Sequence, residues 1–126
     1  MSESSSQMTT EQHGDVTVVC LQHVEIFDDQ TNEEVEKLME SVVDGTENPW
    51  LVLDMVNVQV VSSRFLGTMI AARKFVRKKE GRVVLSRMHS QMLESFRLTD
   101  LGRLFKLYDS VEEAVASFER WQASIE

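Results

Sequence analysis

The chain has 126 residues, a net charge of −8, and no apolar run close to the ~20 residues that a membrane-spanning helix needs. This length accommodates one domain with a hydrophobic core. The negative charge disfavours nucleic acid and anionic lipid as partners, because phosphate binding needs clustered lysine and arginine. The N-terminus lacks the basic and apolar segments of a signal peptide, and the single cysteine, Cys20, has no internal disulfide partner. We therefore expect a cytoplasmic protein.

The residue pattern predicts an initial hairpin followed by alternating helices and strands. Residues 1–7 are serine-rich and polar, and are predicted to form a disordered tail before a domain over residues 8–126. The predicted strands lie at residues 8–12, 16–21, 50–54, 82–86 and 104–107, and the predicted helices at about 31–44, 63–79, 90–98 and 110–125.

Alternation with short connections predicts right-handed crossovers and a largely parallel sheet. We therefore expect an α/β fold: one domain with a four- to five-stranded, mostly parallel sheet and about four helices. The apolar residues of Trp50–Asp54 do not alternate with polar ones, which indicates a strand covered on both faces.

Residue patterns for catalysis, metal binding and cofactor binding are missing. Ser62 and Ser63 lie between a strand and a helix, but without the glycines of a Gly-x-Ser-x-Gly elbow. No glycine-rich phosphate loop or Cys/His metal spacing is present. The acidic loop residues match no calcium-loop spacing and are interpreted as solvated: Glu25, Asp28 and Asp29. We expect a protein that is not an enzyme and has no metal or cofactor.

A few other polar residues are candidate site residues. The three histidines, His13, His23 and His89, are interpreted as surface residues, with His89 the best placed because it follows a strand end. Asp54 is interpreted as a strand terminator in preference to a site residue. Cys20, within a strand, is interpreted as a small hydrophobic residue.

Two segments have alternative interpretations. Ser62 at a helix N-terminus is either a simple N-cap or a place where an added phosphate is stabilised by unpaired N–H groups and the helix dipole. Five cations lie within residues 73–79. They form either a solvated helix face that complements the dipole or a docking patch for an acidic partner: Arg73, Lys74, Arg77, Lys78 and Lys79.

The ordered features of residues 51–118 resemble the STAS domain of bacterial anti-sigma factor antagonists. The features are a strand, a serine-led helix, a second strand, the segment LTDL at residues 98–101 and the helix start YDSVEEA at residues 108–114. A weaker similarity extends back to about Met8. The resemblance implies a regulatory protein that binds an anti-sigma factor, which is also an ATP-dependent serine kinase.

The resemblance also implies functional residues. Ser62 falls on the phosphoacceptor position of the family, and phosphorylation there ends binding of the kinase. The implied partner-binding residues are Ser62, Ser63, Arg64, Phe65 and Thr68. The family has aspartate and glycine at positions where this chain has Val61 and Arg64. Arg64 would either pair with a phosphate on Ser62 or exclude the usual kinase.

Two other functions stay open. Related stand-alone STAS proteins are subunits of lipid-transport ATPases, where the domain docks without a phosphoswitch, and the altered flanks of Ser62 suit that function. A small-molecule or nucleotide-binding domain would need a pocket with polar groups near Asp54, Ser62 and His89. The oligomeric state does not follow from the sequence.

Overall fold

The computed structural model describes residues 8–125, with the side chains of Ser95 and of residues 122–125 left out. The predicted tail, residues 1–7, lies outside the described residues. The strands are β1 (Met8–His13), β2 (Val16–Leu21), β3 (Glu25–Ile26), β4 (Trp50–Asp54), β5 (Val60–Val61), β6 (Arg82–Ser86) and β7 (Leu107–Tyr108). The helices are α1 (Asp29–Asp44), α2 (Ser63–Lys78), α3 (Ser90–Arg97), α4 (Leu101–Leu104) and α5 (Val111–Ile125).

The main sheet has five strands in the order β1-β2-β4-β6-β7. Only β1 is antiparallel to its neighbour within this sheet, and the remaining pairs are parallel. This arrangement confirms the predicted α/β fold with a mostly parallel sheet. The short strands β3 and β5 form a separate parallel pair that the sequence analysis did not anticipate.

Helices cover both faces of the sheet, which explains the continuous apolar run in β4. Leu51 and Leu53 belong to the larger core cluster, which also contains residues of α1, α2 and α3. Val52 points into the opposite cluster, where it packs with Ala114 and Phe118 of α5. Successive side chains of a strand alternate between faces, so both faces must be apolar when both are covered.

The first helix starts earlier than predicted. Asp28 is its N-cap: the Asp28 carboxylate accepts a hydrogen bond from the Thr31 N–H at 2.9 Å and another from the Thr31 hydroxyl at 2.7 Å. The predicted start of this helix at about residue 31 is therefore wrong. Asp28 precedes Thr31 along the chain, and aspartate is at least as good an N-cap as threonine, so the helix gains a turn that was assigned to the acidic loop.

The predicted strand at residues 104–107 is displaced. Leu101–Leu104 forms the short helix α4, in which Leu101 is buried, and the strand β7 begins only at Leu107. A short apolar run does not distinguish a strand from a buried helical turn. The other predicted elements occur close to their predicted bounds. Within residues 8–125, no helix combines the length and the apolar composition needed to cross a membrane.

Candidate functional site

The short strand pair β3/β5 positions the residues that lead into α2. Glu25 pairs with Val60 and Ile26 pairs with Val61. The backbone N–H of Ser62 then donates to the Ile26 carbonyl oxygen at 3.0 Å. The start of α2 is thereby attached to the connection between β2 and α1, which lies more than thirty residues earlier in the sequence.

Ser62 caps α2. Its backbone is extended, with φ −88° and ψ 167°, and its Oγ accepts a hydrogen bond from the Phe65 N–H at 3.3 Å. The N-cap interpretation of Ser62 is thus confirmed. No acidic side chain lies in the first turn of α2, so the partial positive charge of this helix end is not offset from within the helix.

Arg64 connects the first turns of α2 and α1. Its guanidinium forms an ion pair with Asp29, the first residue of α1. Both side chains are exposed, 41% for Arg64 and 79% for Asp29, so the pair contributes little to stability. Next to Asp29, hydrogen bonds from the hydroxyl and the backbone N–H of Thr31 lower the pKa of Asp28. The surface beside Ser62 therefore carries both signs of charge.

The predicted partner-binding residues divide into exposed and buried ones. Ser63 and Arg64 are exposed and Ser62 is half-buried. Phe65 is fully buried and Thr68 is 4% exposed. The Thr68 hydroxyl donates a hydrogen bond to Asn32 Oδ1 at 3.0 Å. Direct contact of Phe65 or Thr68 with a partner would require these side chains to leave the core, and their role in partner binding stays a prediction.

Exposed apolar side chains flank the β3/β5 pair. Of the five large hydrophobic residues that are exposed in the described chain, three lie on this pair or directly beside it: Val24 (52%), Phe27 (47%) and Val60 (43%). Val24 is held against the pair because its carbonyl oxygen accepts from the N–H of Val60 at 3.2 Å. We call Val24, Phe27, Val60, Ser62, Ser63 and Arg64 the Ser62 surface.

A shallow apolar groove continues the Ser62 surface. It has a volume of about 270 Å³ and lies between the start of α2 and the helices α3 and α4. Val60, Val61, Leu66 and Met92 contribute to its walls. Clustered exposed apolar groups of this kind mark protein-binding surfaces more often than scattered ones do.

Asp54 is the last residue of β4, as predicted, and it also has specific polar partners. It is 2% exposed, and its carboxylate accepts two hydrogen bonds from the Arg87 guanidinium, from Nη2 at 2.6 Å and from Nε at 3.1 Å. The Ser86 hydroxyl donates to the same carboxylate at 3.3 Å. Asp54 therefore organises a polar cluster at the carboxyl ends of β4 and β6. No local pattern signals this, because Arg87 lies 33 residues away.

The polar cluster lines a cleft of about 350 Å³ together with Cys20 and residues of β1. Burial, followed by the Asp54 carboxylate, raises the pKa of the Cys20 thiol. A thiol held in its protonated form is a poor nucleophile. Neither Ser62 nor His89 lines this cleft, so the three residues that a small-molecule site was expected to combine are not brought together.

The histidines differ from one another more than was predicted. His23 is 7% exposed, so its assignment to the surface is wrong; it lies in the connection between β2 and β3. His89 is exposed and its Nε2 lies 2.8 Å from the Val56 carbonyl oxygen. His13 is exposed beside Glu11. Among the residues that the structure describes, no group of three or more potential ligands is arranged to hold a metal ion.

Comparison with known proteins identifies the class. The sequence profile of the STAS domain matches residues 7–114, so the chain belongs to the STAS domain family. The fold resembles a Thermotoga maritima protein classed provisionally as an anti-sigma factor antagonist, with a TM-score of 0.76 and 20% identity over 92% of this chain and 97% of that one. It also resembles an anti-sigma factor antagonist of Mycobacterium paratuberculosis, with a TM-score of 0.74 and 25% identity over 87% and 91%.

A third similar structure is the Bacillus cell fate determinant SpoIIAA in its phosphorylated form. The TM-score is 0.66 and the identity is 17%, over 88% of this chain and 98% of SpoIIAA. An identity at this level reflects the shared fold. The three comparisons place the chain among proteins whose fold is that of anti-sigma factor antagonists.

Proposed function

We propose that this protein is a regulator of the anti-sigma factor antagonist type, without enzymatic activity of its own. In this proposal the Ser62 surface binds an anti-sigma factor that is also an ATP-dependent serine kinase. Phosphorylation of Ser62 ends the binding. The observation that carries the proposal is the position of Ser62, at the N-terminus of α2 and beside three exposed apolar side chains.

The position of Ser62 suits a phosphate group. The first N–H groups of a helix have no partner within the helix and point toward an added anion, and the helix dipole favours negative charge there. The side chain of Arg64 lies two residues further on and is paired with Asp29 at an exposed position. A phosphate on Ser62 would compete with Asp29 for the Arg64 guanidinium, since a phosphate accepts bidentate hydrogen bonds from arginine.

The exposed apolar side chains suit a protein partner. Burial of apolar area drives association, and aromatic residues such as Phe27 contribute strongly at interface centres. Two added negative charges in the middle of such a contact would have to be desolvated on binding. Phosphorylation would therefore weaken the complex, even without a change in the backbone.

Phosphoryl transfer can be tested by measuring intact mass after incubation with a candidate serine kinase and ATP. We expect the wild-type chain and Ser63→Ala to gain one phosphoryl group, and Ser62→Ala to gain none. Ser63→Ala is the matched control because it removes the neighbouring hydroxyl from an exposed position. Incorporation that persists in Ser62→Ala would contradict the assigned acceptor.

Binding can be tested by calorimetry with the same kinase. We expect Ser62→Asp to bind more weakly than the wild-type chain. Phe27→Ser should also weaken binding, because it removes an apolar side chain from the Ser62 surface. Phe75→Ser is its control, since Phe75 is also exposed, at 41%, but lies in the latter half of α2. Equal affinities for wild type and Ser62→Asp would contradict the phosphoswitch.

A second function uses the same surface without phosphorylation. Arg64, one of the two residues that depart from the family, is paired with Asp29. The guanidinium of Arg64 therefore has a partner of opposite charge without a phosphate on Ser62. This favours docking on another ATPase, such as that of a lipid transporter. Recovery of a transporter ATPase by affinity purification, with loss of binding in Phe27→Ser and no mass change on Ser62, would support it over the phosphoswitch.

A further inference from the structure

A basic cleft lies at the far end of α2 from Ser62. It has a volume of about 750 Å³ and lies between the last turns of α2, the start of β6, and the segment around α4. Because a helix rises about 1.5 Å per residue, the cleft is roughly 20 Å from Ser62 along α2. Its cationic residues, which define the arginine cleft, are Arg73, Arg77, Arg82, Arg103 and Lys106.

The arginine cleft concentrates positive charge in an acidic protein. One carboxylate, Glu80, lines it beside the five cations, which gives a formal charge of +4. The whole chain has a net charge of −8, so the remaining residues carry −12. None of the five cations forms an ion pair within the part of the chain that the structure describes. Like charges gathered without ion-pair partners destabilise a fold unless something else compensates for them.

The helix dipole does not account for this cluster. Of the five cations near the end of α2, only Arg73 and Arg77 line the cleft, whereas Lys79 donates from Nζ to the Asp44 carbonyl oxygen at 3.1 Å. The remaining cations of the cleft come from β6, from α4 and from the residues after α4. Cations from three separate segments of the chain therefore line the same cleft.

Contacts within the cleft hold the arginines in position. Arg73 donates from Nε to the Leu104 carbonyl oxygen at 2.8 Å, which joins α2 to α4. The guanidinium of Arg82 lies over the Trp121 ring, 5.6 Å from its centroid. Burial and, after it, repulsion from the neighbouring Arg77 guanidinium lower the pKa of Arg73. A bound anion would relieve this repulsion.

The chemistry of the lining distinguishes between anionic ligands. Four of the five cations are arginines, whose planar guanidinium groups bind phosphate oxygens in pairs. The volume lies within the range of small-molecule sites, about 300 to 1,000 Å³. A large acidic protein or an anionic membrane would also be repelled by the negatively charged remainder of the surface. A small ligand in the cleft would feel little of this repulsion, because charges more than about 8 Å away are largely screened.

We propose that the arginine cleft binds a small anionic ligand carrying two or more phosphate groups. This site is separate from the Ser62 surface and does not depend on the proposed function. Occupation of the cleft would link α2, β6 and α4 through one ligand. It would also stabilise the native fold, because a ligand that binds only the folded chain raises its free energy of unfolding.

Intrinsic tryptophan fluorescence can test this proposal directly. The chain has two tryptophans, Trp50 and Trp121, whose rings are 6.1 Å apart, and Trp121 lines the cleft. We expect titration with inorganic tripolyphosphate to change the emission in a saturable manner. Arg77→Gln/Arg103→Gln should weaken this binding by at least about tenfold, because it removes two guanidinium groups that donate charge-assisted hydrogen bonds to the phosphates.

The matched control is Lys74→Gln/Lys78→Gln. It removes the same total of two positive charges, both from α2, but neither lysine lines the cleft. All four substituted side chains carry no ion pair in the described structure, and thermal unfolding of each variant will show that it folds. Little change in the control would support the proposal. No saturable response in the wild-type chain, an equal loss in both variants, or tighter binding of hexaglutamate than of tripolyphosphate would overturn it.

Discussion

The carboxylate of Asp54 holds the guanidinium of Arg87 through two hydrogen bonds across the ends of neighbouring parallel strands. Arg87 adopts a positive φ of 54°, which is uncommon for a residue with a side chain. Its backbone N–H donates to the Tyr108 carbonyl oxygen at 3.0 Å. Arg87 thus connects β4, β6 and β7 at the end of the sheet. Its pair with Asp54 fixes the direction of the Arg87 side chain.

Asp54→Ala should lower the free energy of unfolding by about 2 kcal/mol, because it removes charge-assisted hydrogen bonds and leaves the Arg87 guanidinium without its carboxylate. Arg87 is 43% exposed on its side chain, so water replaces part of the loss. Urea unfolding measures this change. Asp109→Ala is a control in an exposed position near the same sheet end. A loss no larger than that of the control would contradict a structural role for the pair.

The conformation at the end of α2 leads us to expect that substitutions at two adjacent residues change the free energy of unfolding in opposite directions. Glu80 has a φ of 59°, and the N–H of Gly81 donates to the Val76 carbonyl oxygen at 2.9 Å, as in a Schellman motif. Glu80→Gly should raise the free energy of unfolding by up to about 1 kcal/mol, because glycine tolerates this conformation. Gly81→Ala should lower it, since a Cβ there would lie 2.1 Å from the Pro49 carbonyl oxygen. Chemical denaturation of both variants will show whether the signs differ.

The burial of His23 leads us to expect that the free energy of unfolding depends on pH. Burial lowers its pKa from the ordinary value of 6.5, and the carboxylates of Glu34 and Asp28 only partly oppose this. As the pH falls below about 6.5, the unfolded chain binds a proton at His23 before the folded chain does, so the free energy of unfolding decreases until the pH passes the lowered folded pKa. The pKa of Asp28 is lowered from its ordinary value of 3.8, so protonation of Asp28 affects the free energy of unfolding only at more acidic pH.

His23→Gln should remove the part of this pH dependence that lies below pH 6.5, whereas His13→Gln should retain it, because His13 is exposed. Urea unfolding at a series of pH values measures the slope for each chain. An unchanged slope in His23→Gln would assign the proton uptake to another group.

The start of α2 predicts that neighbouring residues differ sharply in their effect on stability. Phe65→Ala should lower the free energy of unfolding by about 3 to 5 kcal/mol, because it opens a cavity in the core. Thr68→Val should cost about 1 kcal/mol, since the fully buried Asn32 loses a hydrogen-bond donor. Ser63→Ala, at an exposed position, should stay within about 0.5 kcal/mol of wild type. Similar costs for all three would contradict the burial pattern.

The elements with a clear periodicity were predictable from the sequence. The five-residue strands β4 and β6 and the sixteen-residue helix α2 combine apolar patterning with strong end signals, and Ser62 was correctly placed at the helix start. The predictions failed for the shortest elements, which are too short for a periodic pattern to repeat. The two-residue strands β3 and β5 show no alternation, and their pairing depends on residues far apart in the chain.

The site was predictable only where local rules apply. The N-cap role of Ser62 depends on the three residues that follow it. By contrast, the burial of His23 and the pairing of Asp54 with Arg87 depend on the tertiary arrangement. The arginine cleft illustrates the same limit: two of its arginines belong to the basic segment seen in the sequence, and the other cations join them only through the fold.

The strand β1 has a further consequence for how the protein behaves at high concentration. It forms one outer edge of the sheet, its residues are mostly exposed, and its sequence, MTTEQH, contains no β-branched aliphatic or aromatic residue. At the opposite edge, β7 is only two residues long. The hydrophobic strand segment Leu51–Leu53 is enclosed between them. Neither edge is therefore a good template for strand-by-strand aggregation, and the polar first strand protects the folded chain from it.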